Sequence, residues 1–158
     1  MSFVSSPILL PIEHVQQHAG GECLAACVTM VLNYLDAPIP YKRLLALLHI
    51  KRGLGTPFYN IRELEKQGVS VLYKTGTLAE LYQHLLNGLP CIVAVQTEQL
   101  PYWEGVISGH VVVVVVGIDA QHLLVNDPEF ASAPFRVTFG DFDLAWLEQG
   151  EYYAVLQP

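Results

Sequence analysis

The chain has 158 residues, enough to bury one hydrophobic core but few for two, so a single domain over residues 1–158 is expected. About half of it is apolar (52%), 15% is charged and the formal net charge is −7, which leaves no basic surface for a phosphate backbone and argues against nucleic acid as a partner. The longest apolar run, residues 111–116 extended to Ile118, is too short to cross a bilayer, and no membrane span is expected.

At the amino terminus, residues 1–10 have no basic residue ahead of a short apolar run and no small-residue cleavage pattern, which speaks against a secretory signal. Cys23, Cys27 and Cys91 are too few, and odd in number, for a disulfide framework; they fit a reducing compartment, and a cytoplasmic location is expected. Residues 23–36 place Leu24, Cys27, Val28, Val31, Leu32 and Leu35 at helical spacing between Gly20-Gly21 and Pro38, so the main helix is expected here. Shorter helices are expected at 41–50, 57–67 and 78–87, the last two stopped by Gly68 and Gly88. Runs rich in Val, Ile and aromatic residues give strands at 69–73, 91–95, 110–119, 122–126, 135–138 and 152–156. The fold class is therefore α+β, a helical amino-terminal half packed on a carboxy-terminal antiparallel sheet, with Leu85, Leu86, Leu144, Trp146 and Leu147 in the core. The short connection Asp119-Ala120-Gln121 suits a hairpin, in which the start of one strand faces the end of the next; this would bring His110 and Asp127 side by side.

Four residue types in this order suit acyl-transfer chemistry. Cys23 opens the main helix, where free backbone N–H groups and the helix dipole favour a thiolate and are expected to lower the thiol pKa. Cys27 and Cys91 lie inside apolar runs and read as buried hydrophobes. A catalytic thiol needs a base, and His110, after Ser108-Gly109 and ahead of an apolar strand, is set at the mouth of the sheet. Asp127, at a strand end before Pro128, could orient the His110 ring; Asn126 could do so instead, but neighbouring strand residues face opposite ways, so only one of the two should point at it. Gln17, six residues before Cys23 across a Gly-rich turn, can donate to an oxyanion. In the long loop 97–109, Tyr102, Trp103 and Glu104 either line a substrate site or cover the sheet edge.

The segments Gln17-His18-Ala19-Gly20-Gly21-Glu22-Cys23, Gly109-His110 with its valine run, and Asn126-Asp127-Pro128 resemble those of papain-like cysteine peptidases related to the bacteriocin-processing, double-glycine leader peptidases. The likeness reaches Leu100 to Trp103 and the tail from Asp141, where the chain is similar to stand-alone bacterial members. It implies a papain-like fold and a cysteine peptidase in which Cys23 attacks, His110 is acid and base, Asp127 orients His110 and Gln17 supports the oxyanion hole. A peptide or protein substrate and no cofactor or metal are implied with it. Leu24, where many relatives have Gly, and Glu22, in place of a frequent Asp, depart from the pattern beside the nucleophile.

Three rivals stand beside this reading. The same thiol could pass an acyl group to an amine, or the fold could bind peptides without cutting them. His14, His18, Cys23 and Cys27 are also of the right types for zinc, although Cys27 would have to leave an apolar helix face.

Overall fold

The computed structural model describes residues 3–158; Met1 and Ser2, part of the stretch read for a secretory signal, lie outside it. Its elements in chain order are β1 (Ile8–Leu9), α1 (Cys23–Tyr34), α2 (Tyr41–Leu47), a 3₁₀ segment Phe58–Gln67, β2 (Ser70–Thr75), α3 (Leu78–Leu86), β3 (Cys91–Gln96), β4 (His110–Ile118), β5 (His122–Asn126), β6 (Phe135–Thr138), α4 (Phe139–Leu147) and β7 (Tyr152–Gln157). The strands form one seven-stranded sheet in the order β2-β7-β3-β4-β5-β6, with β1 added beside the far end of β4. All of its pairings are antiparallel.

The valine run is buried on both sides because helices cover both faces of the sheet. Val112, Val114 and Val116 pack with Leu24, Val28 and Val31 of α1 and with Leu44 and Leu48, whereas Val111, Val113 and Val115 pack with Leu81 and Leu85 of α3 and Phe142 and Trp146 of α4. The class is α+β, as expected, but α3 lies across the sheet from α1. No helix among the described residues is long and apolar enough to cross a membrane.

One further helix, α4, had not been expected. Thr138 caps it by accepting from the Asp141 N–H at 3.3 Å, the short Thr-x-x-Asp signal of a helix start. The turn of this helix corrects part of the expected core: Phe142, Ala145 and Trp146 point inward, while Leu144 (54% exposed) and Leu147 (58%) point outward. Leu86, at the end of α3, is likewise exposed, whereas Leu85 is buried.

The β4–β5 hairpin forms as expected, with a bulge between Val115 and Gly117. Gly117 is needed there because a Cβ would stand 2.5 Å from the Ile8 carbonyl oxygen. The register, however, sets Asn126 opposite Val114, four residues along from His110, and His110 itself pairs with Gln96 on β3. The side-by-side placing of His110 and Asp127 expected from hairpin geometry is therefore not made.

Candidate active site

Cys23 is the first residue of α1, and the chain reaches it through a turn pressed against the loop after α2. Gly21 has φ +83°, and a Cβ on it would stand 2.6 Å from the Gly55 backbone nitrogen, so both conformation and space require glycine. Glu22 is buried (8% exposed) and accepts the Tyr41 hydroxyl at 2.8 Å; Tyr41 in turn accepts the His18 N–H at 3.3 Å and stacks on the His18 ring. These contacts fix the stretch between Gln17 and Cys23.

A cleft of about 400 Å³ opens beside α1, and Gln17, Cys23, His110 and Glu129 all line it. His110 alternates with Val112 and Val114, so it stands on the face of the sheet that carries α1. It is exposed at the end of β4, and among the described residues its ring makes no hydrogen bond. Gln17 is held twice: its N–H donates to the Pro128 carbonyl at 2.8 Å, and its Nε2 donates to Glu129 Oε2 at 3.0 Å.

The Cys23 thiol corrects one expectation. Burial pushes its pKa up, and the negative charge of Asp127 adds to this; the backbone N–H groups of Val112, Leu24 and Cys23 pull the other way. The helix start acts in the expected direction but loses to desolvation. Cys27, one turn on, is buried with Sγ donating to the Val112 carbonyl at 3.2 Å, and Cys91 is buried in β3, as both were read.

Asp127 is fully buried, and its partners are not His110. Oδ2 accepts the Tyr102 hydroxyl at 2.8 Å and Trp103 Nε1 at 2.9 Å, and Oδ1 accepts the Glu129 N–H at 3.0 Å. Asn126 is turned toward α1, where Nδ2 meets Met30 Sδ at 3.7 Å, so neither neighbour orients the His110 ring here. Tyr102 lies flat on Phe135, 4.2 Å between centroids, and Trp103 meets Phe130 edge-on. Tyr102, Trp103 and Glu104 do not line the Cys23 cleft; with Phe130 they line a second hollow of about 370 Å³, which shares Glu129 with it.

Glu129 is thus the residue that sequence reasoning passed over. Its position two residues after Asp127, at the Asx-type turn closed by its own N–H, is the only local signal for it. Burial raises its pKa and the charge of Asp127 adds to this.

The zinc reading fails on position. His14 Nε2 is bonded to the Phe130 carbonyl, His18 is stacked on Tyr41 and Cys27 is buried. Among the described residues no group of three or more His, Cys, Asp or Glu could hold a metal ion.

Residues 11–152 match the family model described as the Peptidase C39 family. Among solved structures, one assigned as a C39-like peptidase from Bacillus anthracis is similar at a TM-score of 0.78 and 17% identity, covering 98% of each chain. The peptidase domain of Streptococcus ComA, a bi-functional ABC transporter involved in a quorum-sensing pathway, gives 0.72 and 20%, covering 91% of this chain and 96% of its own. A double glycine motif protease from an AMS/PCAT transporter, in complex with the leader peptide, gives 0.68 and 18%, covering 98% and 99%. No curated protein sequence matches the chain significantly.

Proposed function

The chain belongs to the peptidase C39 family, and from that premise we propose that it is a cysteine peptidase whose reacting pair is Cys23 and His110. The observation that carries this is the shared cleft: a thiol at the first residue of a helix, an imidazole on the facing strand and the Gln17 amide open to one hollow. His110 takes the thiol proton as Cys23 sulfur attacks a peptide carbonyl carbon. The carbonyl oxygen becomes an oxyanion, held by a Gln17 amide N–H and the backbone N–H at the start of α1. His110 then returns the proton to the leaving amine, and water opens the thioester to release the acid and restore the thiol.

A peptide substrate is proposed with this chemistry. Family membership supports it, and one similar structure is a protease in complex with its leader peptide. Asp127 is proposed to act as the anchor of the Tyr102–Trp103 wall, supported by the three hydrogen bonds that its carboxylate accepts. The wall and Glu104 are proposed to contact substrate beyond the reacting centre, supported by the hollow that adjoins the cleft through Glu129.

The test is modification by a thiol-directed electrophile, comparing the intact protein with His110→Ala. Preferential modification of Cys23 that disappears in the variant is expected. Equal, slow modification of all three cysteines in both proteins would overturn the reacting pair.

A further inference from the structure

The cations of this acidic chain are gathered in one stretch. Between Asp36 and Glu63 stand five of its eight lysines and arginines, Lys42, Arg43, Lys51, Arg52 and Arg62, and none of its fifteen aspartates and glutamates. Arg62 lies over the Tyr73 ring. The other four are exposed, and among the described residues their side chains make no ion pair or hydrogen bond.

This stretch borders the Cys23 cleft. Lys51 to Gly55 form a tight turn, in which the Lys51 carbonyl accepts the N–H groups of Leu54 at 3.0 Å and Gly55 at 3.1 Å. Gly53, Leu54 and Gly55 line the cleft, directly after Lys51 and Arg52. Leu54 is 83% exposed, so the rim presents an apolar side chain beside two unpaired cations. Helix α2 carries Lys42 and Arg43 in its first turn and touches the chain ahead of Cys23 through Tyr41, which meets His18 and Glu22. Glu129 is the only acidic residue among those lining the cleft, and its carboxylate is engaged by Gln17 Nε2.

We propose that the rim at residues 51–54 selects substrate peptides that carry acidic side chains, with Lys51 and Arg52 as their partners and Leu54 against a neighbouring apolar side chain. This rests on the peptidase reading of the cleft. Salt confines the field of the rim to about 8 Å at physiological ionic strength. A short peptide in the cleft therefore meets the local positive charge, whereas a long polyanion also meets the net charge of −7 on the whole chain. A basic peptide would set like charge against the rim. Because the cations are exposed, they discriminate between substrates more than they add affinity.

The test is fluorescence anisotropy on the full chain carrying Cys23→Ala, which reads binding whether or not the thiol cuts peptides. The probes are short labelled alanine–leucine peptides that differ only in having glutamate, glutamine or lysine at the same positions. The glutamate peptide should bind roughly five- to tenfold more tightly than the glutamine peptide, the span of two exposed ion pairs, and the lysine peptide should bind most weakly. Lys51→Glu with Arg52→Glu should reverse that order, and Lys51→Gln with Arg52→Gln should abolish it. Arg136→Glu, at the β6 edge of the sheet, should leave it unchanged. Both rim residues are exposed and backbone hydrogen bonds hold their turn, so the variants keep the fold. Equal binding of the glutamate and glutamine peptides, a preference that survives the rim reversal, or one that Arg136→Glu also removes would each overturn the proposal. Binding of anionic vesicles or single-stranded DNA in place of the glutamate peptide, lost on rim reversal, would overturn it too. Failure of the peptidase reading shows separately, as alkylation of Cys23 that does not depend on His110, and leaves the glutamate preference readable.

Discussion

Gln17 and Glu129 are joined across the mouth of the cleft, Nε2 donating to Oε2 at 3.0 Å. The amide has a second N–H, and the bond to Glu129 fixes the direction in which that N–H points. Replacing Gln17 by Ala should lower kcat about 10²–10³-fold, the cost of one oxyanion donor. Replacing Glu129 by Ala leaves the donor in place but untethered and should cost less, about tenfold. Steady-state kinetics on a peptide substrate measure both, and a Glu129→Ala loss equal to that of Gln17→Ala would give the carboxylate a direct part in the chemistry.

The hydrogen bonds of Asp127 separate two roles by mutation. If Asp127 anchors the wall, Tyr102→Phe should reproduce much of the loss caused by Asp127→Asn, with KM raised more than kcat is lowered. If it orients His110, Asp127→Asn should lower kcat and alter the pH–rate profile while Tyr102→Phe stays close to the parent. The paired kinetics of the two variants decide between them.

Alkylation of Cys23 should be slow at neutral pH and rise with pH through a midpoint above the value of about 8.5 for a free thiol. The sign follows from the causes: burial and the Asp127 charge both favour the neutral form. Asp127→Asn removes one of these and should move the midpoint down. Iodoacetamide rates across pH measure it; a midpoint below the free-thiol value would mean a resting thiolate–imidazolium pair.

Tyr41→Phe leaves the buried carboxylate of Glu22 without its hydroxyl donor, beside the nucleophile. The expected cost is about 1–3 kcal/mol in denaturant unfolding. Trp146→Ala empties the place of a fully buried indole between α4 and the sheet and should cost about 3–5 kcal/mol. Leu144→Ala, on the exposed side of the same helix, should change stability by under about 0.5 kcal/mol.

Much of this fold is legible in the chain because local periodicity carries it. The apolar spacing after Cys23 marks α1, the β-branched run marks β4, and Asp119 to Gln121 marks the hairpin, each within a dozen residues. The helix α4 was hidden for the opposite reason: Phe, Gly, Asp and Trp in close succession show no clean stripe, and only the Thr138–Asp141 cap announces it.

The sequence by itself determined which residues could do the chemistry: a cysteine at a helix start, a histidine at a strand start, a glutamine one turn of chain before the cysteine. Only the tertiary structure decided what each of them touches. Register is set by a bulge and by competing strands, so a hairpin that reads correctly still leaves His110 paired with Gln96 of β3 and Asp127 with Tyr102 and Trp103. Burial, too, is a property of the assembled molecule; it turned the Cys23 thiol upward in pKa against the pull of its own helix, a balance that no count of neighbours along the chain contains.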